Sequence, residues 1–323
     1  MKNQAHWSNQ KEVVHSSRPI RFTIWLSRHL PHWFMMCVAF GVSVFYFLFA
    51  PRVRAYCKLY QKNLCEFYGK DFKFKKSSFK QIYAFAISFI EKIEVWLKKF
   101  STDSLEFRKD DIDLLVESLK QKKGAFLICS HMGNMDIIRS IASQTEVVAG
   151  RKFKVVPIMD VNVNSMFTAS MKQANSHIYE DFIDASNIGI EAVEKMQSTL
   201  EDGSLIFSSG DRTGANSSRT VQVPFLGKEA LFPYGTFFIP TLLETDVYYM
   251  FNIRNPDFKC YSKHSVYVYK SKVNLNVPRG KRDQAIKEMI MEYSHILEEL
   301  AKEHPYQWFN FFDFWNLDSA KNV

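Results

Sequence analysis

The 323-residue chain is long enough to bury a sizeable core in one large domain with a terminal attachment, and does not require a second domain. Its formal charge of +8 is concentrated at the amino end, where Lys2, Lys11, Arg18, Arg21, Arg28, Arg52, Arg54 and Lys58 stand against only Glu12; the remainder is near neutral and offers no nucleic-acid footprint or module. Five cysteines, an odd number without a C-x-x-C pair, argue against a disulfide framework or zinc site and suit a reducing cytoplasm; with no histidine and cysteine cluster at ligand spacing, neither metal nor organic cofactor is expected.

Within the basic region, residues 1–60, the run "WFMMCVAFGVSVFYFLFA" from Trp33 to Ala50 holds no charge over 18 positions, near the lower limit of the ~17 to 25 residues that span a bilayer as a helix. Basic residues on both sides favour a membrane helix at about 33–50 over a buried core helix, and leave open whether it spans the bilayer or lies in the interface. The long polar stretch before it and "APRVRAYCK" after it do not fit a cleavable signal peptide.

Next, "SSFKQIYAFAISFIEKIEVWLKKF" from Ser77 to Phe100 has helical length and apolar residues on nearly every face, as in a core helix packed on more than one side, the wall of a greasy cavity or a second membrane contact. "DIDLLVESLKQKKG" places Ile112, Leu115, Val116 and Leu119 on one helical stripe, with Gly124 as the stop, and the strand "AFLIC" follows at once. A helix over Ile188 to Glu201 again feeds a short apolar strand, "LIFSS". More strand-like runs appear at "TVQVPF", "VYYMFNI" and "SVYVY", and Lys281 to Glu303 closes the pattern with a core-facing helix. Alternating helices and buried strands predict an α/β fold, with a mixed, mostly parallel central sheet flanked by helices.

Ligands gather at the carboxyl ends of strands in such folds, and "AFLICSHMGNMD" brings His131 to that edge. Gly133 and Asn134 supply a tight turn and helix start, and Asp136 falls in the first helical turn, within expected reach of the imidazole. A histidine titrates near neutrality and takes a proton from a hydroxyl, while a carboxylate on its other ring nitrogen fixes the tautomer, so the pair reads as a general-base dyad. It is the only histidine with an acid five residues on, although a structural histidine would carry the same spacing. No G-x-S-x-G elbow exists, and Cys129 reads as core filler rather than nucleophile. The chemistry suggested is base-assisted attack by a substrate hydroxyl.

These residues resemble the lipid A biosynthesis acyltransferases, a membrane-associated branch of the lysophospholipid acyltransferase superfamily with a His-x4-Asp/Glu signature. The likeness covers nearly the whole chain: "HW" at His6 and Trp7, "YFLFAPRVR", "SHMGNMD", "GDRT" at Gly210, "FLGKEALFPYG" from Phe225 and "HPYQWFNFFDFW" from His304. The resemblance implies an acyltransferase domain over 61–323, with His131 as general base and Asp136 as its orienting partner. It implies substrate-binding roles for Arg212, Gly133, Asn134, Asp211, Phe232, Pro233 and Gly235. Arginine suits a phosphate or a carbonyl oxygen, although Arg212 would equally pair with a carboxylate such as Asp211. Phe232, Pro233 and Gly235 are also readable as a strand, turn and helix start.

Asp136 stands where the lipid A enzymes carry glutamate, and the carboxyl end is unusually aromatic, so the implied acceptor is lipid A-like or another glycolipid. The implied donor is acyl carrier protein or acyl-CoA, and the implied location is the bacterial inner membrane with the active site facing the cytoplasm. A hydrolase using the same dyad on water, and a non-catalytic membrane protein binding anionic lipid, are the alternatives. The "YQWFNFFDFW" tail reads as a docked terminus or as an aromatic patch at the lipid interface.

Overall fold

A computed structural model describes residues 17–108, 111–138, 140, 149–160, 169–170, 182–212 and 219–317. His6, Trp7 and Thr213 lie outside these. Helices α1 (Ser17–His29), α2 (His32–Phe49), α3 (Pro51–Tyr68) and α4 (Ser78–Trp96) lead into β1 (Leu105–Phe107), α5 (Ile112–Lys120) and β2 (Ala125–Gly133). Then come β3 (Val155–Met159), β4 (Ile183–Asp184), α6 (Ile190–Glu201), β5 (Leu205–Ser209), β6 (Thr220–Phe225), β7 (Lys228–Pro233), α7 (Tyr234–Leu243), β8 (Val247–Asn255), β9 (Lys263–Lys270) and α8 (Arg282–Glu303).

The expected α/β architecture is present. Seven strands form one sheet in the order β1-β9-β8-β2-β5-β3-β4, and every neighbouring pair is parallel except β8 with β9. β2 sits mid-sheet between β8 and β5, which is why its sequence is apolar without alternation: it is covered on both faces. On one face Phe126, Ile128 and Met132 pack with Ile286, Met289, Ile290, Tyr293 and Leu297 of α8 and with Phe237 of α7. On the other, Ala125, Leu127 and Cys129 pack with Leu115 and Leu119 of α5. The α8 stripe is the one that helical spacing predicts.

The "FLGKEALFPYG" block becomes a hairpin and helix start. β6 and β7 pair antiparallel around Leu226 and Gly227, both at positive φ as a tight two-residue hairpin turn demands, and Pro233 opens α7.

Helix α4 connects the amino-terminal helices to the sheet. Its start is capped by the Ser77 hydroxyl, which accepts from the Lys80 N–H at 3.3 Å. Ile87 and Ile90 pack against Met35, Met36 and Ala39 of α2, while Ile93 and Trp96 pack with Ile20 and Ile24 of α1 and with Ile137 just beyond β2. The helix is apolar on several sides because it has neighbours on several sides. Among the described residues α2 alone is long and apolar enough to cross a membrane by length and composition, and most of its surface faces outward.

Candidate active site

β2 ends irregularly. Its pairing with β8 shifts register between Cys129 and Gly133, and there the carboxyl-terminal segment crosses the strand: Met132 forms an antiparallel bridge with Trp308, the Gly133 N–H donates to Gln307 O at 2.8 Å, and the Phe309 N–H donates to His131 O at 3.0 Å. Successive side chains on a regular strand diverge to opposite faces, but at this irregularity Ser130 and His131 both reach one carboxylate.

That carboxylate is Asp211, just after the neighbouring strand β5. His131 Nδ1 lies 2.7 Å from Asp211 Oδ1, while Asp211 Oδ2 accepts from the Ser130 hydroxyl at 2.8 Å, the His131 N–H at 2.9 Å and the Trp308 indole N–H at 3.1 Å. Asp211 is fully buried, and the His131 side chain is 25% exposed. Burial tends to raise the Asp211 carboxyl, but His131 and Arg212 outweigh it and hold the group below its ordinary range. An ionised carboxylate on Nδ1 makes that nitrogen the proton donor and leaves Nε2 as the basic position. Burial first, then the positive charge of Arg212, lowers His131 below its ordinary value against the opposing pull of Asp211, so the ring is neutral and able to accept a proton near neutral pH.

The linear spacing pointed to Asp136 as the carboxylate on the imidazole; the carboxylate on Nδ1 belongs to Asp211. Asp136 faces α4, where its Oδ1 accepts from the Trp96 indole N–H at 3.2 Å and its Oδ2 pairs with Lys92 Nζ at 2.8 Å. The turn explains this. Gly133 has φ of +68° and its Cα lies so close to β8 that a Cβ would fall 1.8 Å from Asn252 O. The Asn134 N–H then donates to that same oxygen at 2.9 Å, its side-chain Oδ1 accepts from the Asp136 N–H at 3.2 Å, and its Nδ2 donates to Ser88 O at 3.2 Å. Ser88, Lys92 and Trp96 recur every four residues, so one stripe of α4 holds the whole turn.

Arg212 lies beside the pair. Its Nε donates to Asn310 Oδ1 at 2.8 Å and a terminal nitrogen donates to Phe309 O at 2.6 Å. Burial lowers it to about 10, which leaves it charged at neutral pH. Phe232 is fully buried, its ring against Phe225, Tyr293 and Phe314; Pro233 precedes α7, and Gly235 is exposed in that helix's first turn. The structure thus brings together His131, Asp211 and Arg212, with Gly133, Asn134 and Asp136 in the adjoining turn.

Sequence reasoning missed the parts of Ser130, Trp308 and Asn310. The signal available was topological: Asp211 follows the strand that neighbours β2, so the two strand ends converge. Among the described residues no three His, Cys, Asp or Glu side chains gather as a metal-binding cluster.

The arrangement, a histidine base oriented by a buried carboxylate with an arginine beside it, can deprotonate a hydroxyl and stabilise an oxyanion. Comparison with individually curated proteins gives no match. A model of the family described as bacterial lipid A biosynthesis acyltransferase matches residues 21–316, almost the entire chain, so the protein belongs to that family and is an acyltransferase.

Proposed function

We propose that the protein is a membrane-bound O-acyltransferase that moves a fatty acyl chain from a thioester, carried by acyl carrier protein or coenzyme A, to a hydroxyl of a lipid A-like or other glycolipid acceptor. The observation that carries this reading is the 2.7 Å contact between His131 Nδ1 and buried Asp211, which leaves Nε2 of a part-exposed ring as the base.

In the proposed reaction Nε2 takes the acceptor's hydroxyl proton while that oxygen bonds to the thioester carbonyl carbon. The carbonyl electron pair moves onto oxygen, where the Arg212 charge stabilises it. Collapse of the tetrahedral species breaks the carbon–sulfur bond, and the thiolate leaves with the proton held by His131. Asp211 keeps Nδ1–H in place throughout. Asp136 acts through the backbone, fixing the turn after the base by its ties to Lys92 and Trp96. Gly133 and Asn134 allow and cap that turn, whereas Phe232 and Pro233 are buried core supports of the hairpin that leads into α7 rather than substrate contacts, and Gly235 lies exposed in that helix's first turn.

We place the protein at the cytoplasmic face of the bacterial inner membrane, where a bilayer acceptor meets a soluble thioester. Support comes from α1 and α2, which expose Phe22, Trp25, Trp33, Phe40, Phe45, Leu48 and Phe49 beside a basic sequence. Helix α4 carries this surface on one side and the Asp136 turn on another, so the membrane contact and the site share one rigid element.

The test is mass spectrometry of total lipids from source cells lacking the protein, restored with wild type or His131→Ala at equal membrane abundance. A lipid heavier by one acyl group with the wild type alone supports the proposal, and its mass identifies chain and acceptor. Free fatty acid without acylated lipid supports hydrolysis, and identical profiles from both proteins support a binding role.

A further inference from the structure

We infer that Trp308, on the carboxyl-terminal segment that crosses β2, is a positioning residue for the base: its indole N–H holds the carboxylate that in turn holds the His131 ring. The inference rests on the reading of His131 as general base.

Three observations meet at this residue. Its indole N–H donates to Asp211 Oδ2 at 3.1 Å, in a place without solvent access, since both residues are fully buried. Its ring is caged by Tyr60, Phe225 and Phe314, each at a centroid distance of 5.0 Å, so the N–H has one direction available. The residues on either side of it tie the segment to the strand that carries the base, since the Gly133 N–H donates to Gln307 O and the Phe309 N–H donates to His131 O, and its own carbonyl accepts from Gln81 Nε2 of α4 at 2.7 Å. The next residues reach the arginine: Phe309 O and Asn310 Oδ1 both accept from Arg212. One short segment therefore fixes strand, carboxylate and arginine together. It also explains the aromatic "FLGKEALFPYG" block, whose Phe225 packs directly on the indole and whose Phe232 contacts Phe314.

Removing the indole N–H leaves Asp211 with fewer donors to spread its charge, so it attracts the Nδ1 proton more strongly and the imidazolium is favoured. Other ionisable groups in this region are Arg212 after β5, Lys92 of α4 with Asp136 facing it, Cys129 on β2 and Tyr293 of α8, whose hydroxyl donates to Cys129 O. None of these is altered by Trp308→Phe, which keeps an aromatic ring in the cage.

Acyl transfer measured across pH with purified Trp308→Phe should show kcat lowered about tenfold, the scale of one hydrogen bond to a charged group, with KM nearly unchanged and the acid limb moved to higher pH. Phe314→Leu, which loosens the same cage without touching a hydrogen bond to Asp211, should lower the melting temperature but leave the acid limb in place. A wild-type acid limb in Trp308→Phe, or the same kinetic change in both variants, overturns the inference.

Should Trp308→Phe fail to fold, indole 15N–1H spectra of the wild-type protein decide the matter. One tryptophan signal should titrate with the acid limb and stop titrating in His131→Ala; the absence of any such signal overturns the inference. Retention of transfer by His131→Ala would instead remove the base itself, an outcome separate from either of these.

Discussion

His131 Nδ1 and Asp211 Oδ1 lie 2.7 Å apart although 80 positions separate the residues, and the contact joins the ends of two adjacent parallel strands. Asp211→Asn keeps the shape but replaces the charged acceptor, so the ring loses both its preferred tautomer and the stabilisation of its cation. Activity is expected to fall by about 10²- to 10⁴-fold, the range of a general base. Asp136→Asn, which weakens the tie to Lys92 and Trp96 one turn away, is expected to cost less in kcat and more in melting temperature. Steady-state kinetics and thermal melts of the two variants check the order; equal kcat losses would return Asp136 to the role that its spacing suggests.

Arg212 contributes to the pH response. Burial first, and then the Arg212 charge, hold His131 below the ordinary value, so the rate should fall only as pH drops through that lowered value, where the base becomes protonated. Arg212→Ala removes the charge, raises His131 and moves the acid limb to higher pH. Arg212→Lys preserves the charge but cannot fork to Phe309 O and Asn310 Oδ1, so its limb should stay near that of wild type while kcat falls about tenfold. A pH–rate profile for each variant separates charge from geometry.

The elements that the sequence makes legible are those specified locally. The apolar run from Ala125, the α8 stripe through Ile286, Met289, Tyr293 and Leu297, and the uncharged stretch of α2 each carry their periodicity within a few turns. The site is only half legible for the same reason. His131 is identifiable because strand, Gly-Asn turn and helix start surround it, but the Asp211 and Trp308 contacts depend on which strand lies beside β2 and on where the chain's last segment docks. Asp136 is near in sequence, yet α4 supplies its partners from some forty residues upstream, and no spacing rule contains that helix's position.

Gly133 leaves no room for another residue. At φ of +68° an L side chain is strained, and an added Cβ would fall 1.8 Å from Asn252 O, a backbone atom that cannot rotate away. Gly133→Ala must therefore push β2 away from β8 or unwind the turn, breaking the Asn134 bond to Asn252 O. A loss of several kcal/mol is expected, the class of change that follows overpacking plus a forbidden φ. Thermal unfolding measures it, and transfer activity should vanish even where the variant remains folded, because the base sits two residues away.

The outer face of α2 is expected to be a membrane contact rather than a packing surface. Phe45, Leu48 and Phe49 are 59%, 57% and 69% exposed, whereas Met35, Met36, Ala39 and Ser43 of the same helix are buried. Replacing the three exposed residues with serine removes little from the core, so the melting temperature of detergent-free protein should barely change. Each lost apolar side chain would forfeit about 1.5 to 3 kcal/mol of burial in lipid, which for three residues lowers partitioning into vesicles by more than about a thousandfold. Flotation with phosphatidylglycerol-containing liposomes reads this directly. Unchanged flotation would show that this face does not enter the bilayer; lost flotation with retained activity on detergent-dispersed acceptor would show that it delivers the enzyme to its substrate without taking part in the chemistry.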